Sequence, residues 1–157
     1  MSQTFNIKLE NFKELNALLS SIPEDIAKRA GVAALRKGAK SVLEEAKMLV
    51  PVRTGKLRDS LEIATKKVGG NLAVVKVQAS RKKGGFHAHL VELGTSPHKI
   101  QDAVIGNKHY DVIEHPGSQK QPFLRPALLN KKEEVIKTVF ENIGSEVTKQ
   151  FKREMKK

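Results

Sequence analysis

Three side chains near the middle of the chain are of types that bind metal ions. His87, His89 and Glu92 form the pattern H-x-H-x-x-E, and imidazole and carboxylate groups are common ligands of divalent metals. The surrounding residues, Phe86 to Leu93, are predicted to form a strand. Side chains alternate between the two faces of a strand, so the two histidines share one face while Glu92 points to the other. Three ligands cannot then meet at one ion, and we expect no metal and no cofactor here.

Other residues with catalytic potential lack the context that catalysis needs. Glu92 could form an acid pair with Asp111 or Glu114, but paired carboxylates work in a cleft that separates their pKa values, and no pattern indicates one. The serines do not lie in a nucleophile-elbow motif, and the two glycine pairs do not match a phosphate-binding loop. We predict that the chain is not an enzyme; a nuclease or hydrolase is the least favoured alternative.

The chain is strongly basic, with a formal net charge of +12, which favours a polyanionic neighbour such as DNA. Arg81, Lys82 and Lys83 precede Gly84-Gly85 and are predicted to lie in a flexible loop that could face DNA. Aromatic residues do not alternate with the basic ones as they do on base-stacking surfaces. Any contact with DNA would therefore be made to phosphates and would be indifferent to base sequence.

The length of 157 residues predicts a single domain, residues 1–157. Hydrophobic residues make up 39%, which is enough for a core. Cysteine is absent, which excludes disulfides and thiolate metal sites and is typical of a protein that folds in a reducing compartment. The first nine residues lack the pattern of a signal peptide, and no stretch approaches the roughly 20 apolar residues of a membrane span. We expect no membrane partner.

Periodicity predicts the elements of the first half. A short strand and a short helix are predicted within residues 1–22. A long helix follows over about Glu24 to Leu49, within residues 23–50, and its small residues would allow close packing against another element. Its predicted apolar face contains Leu35, Ala39, Val42, Ala46 and Leu49. Two strands, about Leu61 to Val68 and Leu72 to Ala79, are predicted around a Gly-Gly-Asn turn signal.

The predicted fold class is α+β, with an antiparallel sheet of three to five strands packed by the long helix and by a long C-terminal helix. The third strand is the segment Phe86 to Leu93, within the turn and hairpin region 51–95. A short strand is also predicted at Tyr110 to Glu114. The remaining segments are a long loop over residues 96–121, the C-terminal helix over residues 122–152, and a basic, frayed tail over residues 153–157.

Three short stretches, which we call joints, lie where elements must stop or start. Joint 1 runs from Val50 to Leu61 and reads V-P-V-R-T-G-K-L-R-D-S-L. Pro51 is predicted to end the long helix, because proline pushes the preceding residue out of the α region. Thr54 is expected to cap the next turn, and Gly55 to adopt a positive φ. Leu57 then anchors the chain on the core, while the basic side chains of the joint protrude.

Joint 2 is H-L-V-E-L-G-T, from His89 to Thr95, and joint 3 is Q-P-F-L-R-P-A-L, from Gln121 to Leu128. In joint 2, Gly94 ends the predicted strand and Glu92 is a lone acid in a basic region. We expect Glu92 to pair with a basic side chain within the subunit or across an interface, and Arg125 of joint 3 is the candidate. A solvent-facing acid is the alternative. The two prolines of joint 3 direct the chain into the last helix.

The order of the three joints resembles that in the head–tail joining or tail-completion proteins of bacteriophages and prophages with long, non-contractile tails. The similarity extends over about residues 20–150 and rests on the motifs P-V-R-T-G-x-L, E-x-G-T and P-F-L-R-P-A. The segment 96–121 is longer than in the simplest members. By this resemblance the motif residues shape the fold and the subunit contacts and are not catalytic. They are Pro51, Arg53, Thr54, Gly55, Leu57, Glu92, Gly94, Thr95, Pro122, Phe123, Arg125, Pro126 and Ala127.

The resemblance implies a structural virion protein at the neck, where the tail meets the head. Such proteins form a ring, usually a homohexamer, that completes or caps the tail tube. The ring docks on a head connector, adaptor or stopper protein and leaves a channel for DNA. Arg81, Lys82 and Lys83 are then expected to face the lumen and to touch passing DNA transiently. Assembly in the host bacterial cytoplasm agrees with the lack of cysteine. The alternative is a protein that binds double-stranded DNA without sequence specificity.

Overall fold

The computed structural model describes Ala17, residues 20–68 and residues 72–156, and it has the predicted mixture of helices and antiparallel strands. The helices and strands are α1 (Glu24–Leu49), α2 (Lys56–Asp59), β1 (Leu61–Val68), β2 (Leu72–Ala79), α3 (Ala88–Leu93), β3 (His98–Ile105), β4 (Lys108–His115) and α4 (Leu124–Glu154). A turn of 3-10 helix, Arg81–Lys83, lies between β2 and α3. Most of what was predicted for residues 1–22 falls outside the described residues.

Helix α1 has the bounds that the sequence predicts. Two acidic residues lie in its first turn, where they interact favourably with the helix dipole. It ends before Pro51, and the backbone of Val50 is extended, with φ −65° and ψ 132°. Its buried residues recur every four positions and form one stripe; they are Ile26, Ala30, Ala34, Gly38, Val42 and Ala46.

The predicted apolar face of α1 was wrong at two of its residues. Leu35 and Leu49 are 39% and 40% exposed, because the buried stripe is carried by small residues on a neighbouring line of the helix. Gly38 shows the reason. A Cβ atom at this position would lie 3.0 Å from both Cγ1 and the carbonyl oxygen of Val135 in α4. At Gly38 the two long helices therefore approach too closely for a larger side chain.

Helix α4 packs antiparallel to α1 along most of its length. The register is marked by three polar contacts: Arg29–Glu154 at 2.6 Å, Lys37–Glu146 at 2.8 Å and Glu45–Asn130 at 2.9 Å. Ala30, Ala34 and Ile143 form a small buried cluster between the two helices. The last helix was predicted correctly, and α4 continues to Glu154, two residues into the predicted basic tail.

The hairpin of β1 and β2 has the predicted bounds and packs on α1. Its pairing runs from Leu61 opposite Ala79 to Val68 opposite Leu72. The number of strands in the sheet is smaller than predicted, because the described strands form two separate two-stranded sheets.

The segment predicted as a third strand forms helix α3 instead. Ala88 faces the core and Val91, three residues later, packs against the same cluster, which is helical spacing. The N–H of Gly94 donates a hydrogen bond to the carbonyl oxygen of Leu90. A segment this short fits both periodicities, so its pattern alone could not separate a strand from a helix.

Residues 96–121, predicted as a long loop, contain the second hairpin. Strands β3 and β4 pair from His98 opposite His115 to Ile105 opposite Lys108. The two residues between them are Gly106 and Asn107, and Gly106 has φ +61°. Gly-Asn between two strands is a known hairpin turn signal, so the sequence contained the information that identifies this hairpin. The short strand predicted at Tyr110 to Glu114 is part of β4.

Candidate functional site

The three joints, which are distant in sequence, meet in one buried cluster. Phe123 of joint 3 is completely buried and is the largest fully buried side chain of the described residues. Val50 and Leu57 of joint 1 are buried in the same cluster, and Val91 of joint 2 packs against it. The other buried members are Val42, Ala46, Leu61, Ala88 and Ala127. The joints therefore connect the end of α1, the start of β1, helix α3 and the start of α4.

Glu92 caps the N-terminus of α4. Its Oε2 accepts hydrogen bonds from the backbone N–H groups of Phe123 at 2.7 Å and Leu124 at 2.9 Å, and its Oε1 accepts one from Arg125 at 3.0 Å. The next residue is Pro126, which has no N–H to satisfy. The backbone N–H groups of the first helical turn have no partner within a helix. Here the Glu92 carboxylate accepts hydrogen bonds from three of them, and Pro126 has none to donate. A negative charge here is also favoured by the helix dipole.

The contact between Glu92 and Arg125 differs from the predicted pair of side chains. It uses the backbone N–H of Arg125 and lies within one subunit. Glu92 is half-buried, so the alternative of a solvent-facing acid is also wrong. The motif E-x-G-T therefore encodes a cap that a distant part of the chain supplies to α4. Local sequence rules miss such a cap, because they look for the capping residue next to the helix.

Joint 1 ends in a tight turn whose details differ in part from the prediction. Gly55 has φ +78° as expected, but it is itself the N-cap residue of α2, and no side chain caps this helix. The prediction that Thr54 is the cap was therefore wrong. Leu57 is buried as predicted. Ser60 is completely buried, and its Oγ donates a 2.6 Å hydrogen bond to the carbonyl oxygen of Leu57.

The position of Ser60 explains why residue 85, the second of the two glycines after the basic residues, has no side chain. A Cβ atom at Gly85 would lie 2.5 Å from Ser60 Oγ and 2.8 Å from Ala79 Cβ. The backbone N–H of Ser80 donates to Ser60 at 2.8 Å, and that of Gly85 donates to Ser80 at 2.9 Å. Ser60 and Gly85 were not singled out in the sequence, since a buried serine beside a glycine is visible only after folding.

Gly94 and Thr95 of joint 2 cross the chain that returns toward joint 3. Thr95 and Ser118 exchange two backbone hydrogen bonds of 3.0 Å, and their hydroxyl oxygens lie 3.1 Å apart. Gly94 has φ +71°, and a Cβ atom there would lie 2.7 Å from the carbonyl oxygen of Ser118. At Gly117, with φ +83°, a Cβ atom would collide with the carbonyl oxygen of Thr95. The crossing therefore needs both glycines.

The exposed motif residues lie around the buried cluster. Pro51, Arg53 and Thr54 line a surface cleft of about 630 Å³ together with Phe86 and His87. Phe86 is 67% exposed, so an apolar ring borders this cleft. Pro122, which precedes α4, is also exposed.

Arg81, Lys82 and Lys83 form the exposed 3-10 turn rather than the flexible loop that was predicted. The backbone N–H groups of Lys83 and Gly84 close this turn at 3.1 Å each. Lys83 Nζ lies 2.9 Å from the Glu62 carboxylate, and this hydrogen bond holds the pKa of Glu62 below its ordinary value. The backbone of the turn is therefore held in place by hydrogen bonds, and the side chains of Arg81 and Lys82 extend from it into solvent.

The residues of the H-x-H-x-x-E pattern do not lie on a strand as predicted. His87 precedes α3, and His89 and Glu92 belong to α3. No group of three or more histidine, aspartate or glutamate side chains within residues 20–68 and 72–156 is arranged to hold a metal ion. None of the helices in the described part of the chain is both long enough and apolar enough to span a membrane.

Comparison with protein families identifies one model that matches residues 13–94, just over half of the chain. Its description reads "Bacteriophage HK97-gp10, putative tail-component". The matched range includes joint 1 and most of joint 2, and ends before joint 3. No curated protein and no solved structure matches the chain.

Proposed function

Because the chain belongs to the HK97-gp10-like family of bacteriophage tail components, we propose that it is a structural virion protein of the neck. In this proposal, copies of the chain form a ring, with six as the expected number, at the junction of head and tail. The ring completes the tail tube, joins it to a head connector or stopper protein and leaves a channel for DNA. Mature particles then carry the protein at the top of the tail.

The observation that carries this proposal is the convergence of the three joints on Phe123 and on the Glu92 cap. Two polar motif side chains, Glu92 and Thr95, form hydrogen bonds inside the subunit. Such a use of motif residues fits a subunit whose surface has to be positioned accurately. Glu92, Gly94, Phe123 and Ala127 then act inside the subunit.

The exposed motif residues are the proposed subunit contacts. Pro51, Arg53 and Thr54 border the cleft beside Phe86, which combines an apolar ring with polar groups at its edge. Interfaces between proteins commonly have this composition, with aromatic and arginine side chains at their centre. Pro122, just before α4, and Arg125, in its first turn, are exposed and provide a second candidate contact.

The proposed channel is supported by the net charge of +12. Arg81 and Lys82 are exposed on a fixed turn, whereas the charge of Lys83 is partly offset by Glu62. We place Arg81 and Lys82 at the lumen, where they would interact with DNA phosphates without reading sequence. Repetition of the turn around a ring would multiply the positive electrostatic potential in the channel.

Imaging of the purified protein with and without tail tubes tests the proposal. We expect rings with a central channel, either in solution or at one end of the tubes. The double substitution Arg81→Glu and Lys82→Glu should leave the rings intact and lower DNA passage or retention in assembled particles. Copies that never associate with tubes, together with tight, steeply salt-dependent binding of free duplex DNA, would instead favour the DNA-binding alternative.

A further inference from the structure

The hairpin of β3 and β4, residues 98–115, forms an arm that extends from the rest of the subunit. Each strand has eight residues and so spans about 25 Å. Almost all arm residues are exposed, and among the described elements each strand packs extensively only on the other. A lone two-stranded hairpin is marginally stable in water. A second surface is therefore needed to hold the arm in this form.

The base of the arm is rigid, so the arm has a defined direction. The crossing of Thr95 with Ser118 closes its base with two backbone hydrogen bonds. Gly94 and Gly117 allow the two backbone segments to approach closely at this crossing. A third bond, from the N–H of Gly117 to Nδ1 of His115 at 3.0 Å, fixes the last residue of β4.

The arm exposes several apolar side chains to solvent, where they are unfavourable unless another surface covers them. Val104 is 68% exposed, Ile105 62% and Val112 52%, and Tyr110 is also exposed. These residues lie on strands whose outer edges are unpaired in the described structure. Exposed apolar side chains on an open strand edge are typical of a surface that another protein covers.

The charge of the arm indicates which protein that is. Residues 98–115 contain two lysines and three acidic residues, a net charge of −1, whereas the other residues carry +13, which gives +12 for the whole chain. The arm is thus a slightly acidic segment of a strongly basic protein. Its charge complements the body of another copy of the same chain, whereas it would not be drawn to DNA.

The same chain also has an apolar groove of about 490 Å³ between α1, β2 and the start of α4. Leu35, Val75, Leu128 and Val135 line it, and Leu35 and Leu128 are 39% and 48% exposed. Its charged residues are Lys76, Arg125 and Glu92, and the Glu92 carboxylate is already engaged in capping α4. Apolar walls beside basic groups match an arm that combines apolar residues with acidic ones, although these acids also face Lys99 and His109 of the arm itself.

We propose that the arm of one subunit docks in this groove of a second copy. Arm and groove are different surfaces, so the contact is heterologous and joins copies head to tail. Such a contact generates a closed ring when the rotation between neighbouring copies divides a full turn evenly. The inference rests on the proposed ring and assigns one of its interfaces.

Mapping of the arm by photo-crosslinking tests the assignment. Because the chain has no cysteine, Val104→Cys provides a single thiol for a benzophenone label. We expect crosslinks between copies, formed in solution or on tail tubes, to attach to peptides that contain Leu35, Val75 or Leu128. Leu128→Asp in an unlabelled partner should reduce their yield by about tenfold, since a charge would be buried in the groove. Met48→Asp, at an apolar residue that is 72% exposed and outside the groove, should have no such effect.

Crosslinks that attach only within one copy, or to another face of a second copy, would overturn the assignment. If rings still form on tail tubes in that case, the arm–groove contact fails while the proposed function stands. If no product joins two copies and no ring forms under any condition, both fail.

A mixing experiment provides a second test. The arm variant Val104→Asp with Ile105→Asp retains an intact groove, whereas the groove variant Leu128→Asp retains an intact arm. Each variant alone should remain monomeric. Their mixture should form a one-to-one complex that does not grow further, because only one matched pair of surfaces remains. Equal assembly of both variants alone would contradict the proposal.

Discussion

The carboxylate of Glu92 lies 2.7 Å from the backbone nitrogen of Phe123 and caps the helix that Phe123 precedes. This relationship joins α3 to α4 across 31 positions of sequence. The Glu92 carboxylate accepts hydrogen bonds from the backbone N–H groups at the start of α4. The ring of Phe123 is buried in the joint cluster. A motif acid and a motif aromatic residue thus form one structural unit.

Removal of the cap should destabilise the isolated subunit. Glu92→Ala leaves the N–H groups of residues 123–125 without their acceptor, and we expect the free energy of unfolding to fall by about 2 kcal/mol. Glu92→Gln, which retains an acceptor but no charge, should lose less. Urea denaturation of the monomer measures both. Arg125→Ala preserves the backbone N–H, so a loss as large as that of Glu92→Ala would show that the Arg125 side chain, rather than the cap, dominates.

Two glycines of α1 form a matched pair for the helix–helix contact. A Cβ atom at Gly38 would lie 3.0 Å from Val135, whereas one at Gly31 would have nothing within 4 Å. Gly31→Ala should therefore stabilise the protein by about 0.5–1 kcal/mol through helix propensity. Gly38→Ala should destabilise it by about 1–3 kcal/mol through overpacking. Thermal unfolding distinguishes the two, and a gain in both variants would show that the helices can separate without cost.

The crossing at the base of the arm should be sensitive to substitution of Gly117, for which Gly106 provides a matched control. Gly117 and Gly106 both have a positive φ, but only at Gly117 would a Cβ atom collide with backbone. Gly106→Ala should cost about 1 kcal/mol, the conformational penalty alone. Gly117→Ala should cost clearly more and should increase amide hydrogen exchange at Thr95 and Ser118. Equal effects of the two substitutions would argue against a rigid crossing.

The ion pairs of Glu146 predict a dependence of stability on pH. Hydrogen bonds from Lys37 at 2.8 Å and Lys149 at 3.1 Å lower the pKa of Glu146 below its ordinary value of 4.5. A carboxyl group whose pKa is lower in the folded state stabilises the protein above the ordinary value, and this stabilisation is lost as pH falls through the folded pKa. Glu146→Gln should therefore be less stable than the unsubstituted chain at pH 7, and the difference should shrink toward pH 3.

An exposed pair supplies the control for this pH dependence. Lys137 and Glu141 lie 3.9 Å apart, and both side chains are more than half exposed. Glu141→Gln should change stability little at any pH, because exposed ion pairs contribute little. Urea midpoints between pH 7 and pH 3 compare the two variants. Parallel curves for Glu146→Gln and the unsubstituted chain would contradict a structural role of the buried carboxylate.

Elements with a strong local signal were predictable from the sequence. Helix α1 and the strands β1 and β2 have the predicted bounds, because long periodic segments and prolines mark them without reference to the rest of the fold. The motif order also indicated the family that the chain belongs to. Short segments were less predictable. Residues 88–93 fit two periodicities, and the Gly-Asn turn of the second hairpin was overlooked.

The sequence by itself determined the α+β class, the two long helices, the first hairpin and the phage tail family, since each depends on local propensity or on the order of short motifs. The tertiary structure alone decided how the motifs are used. It placed Glu92 at the start of α4, joined the three joints around Phe123 and aimed a hairpin away from the body. These features are contacts between residues far apart in sequence. They form only when the chain closes around a common core, and no local pattern encodes which distant backbone groups a carboxylate will meet.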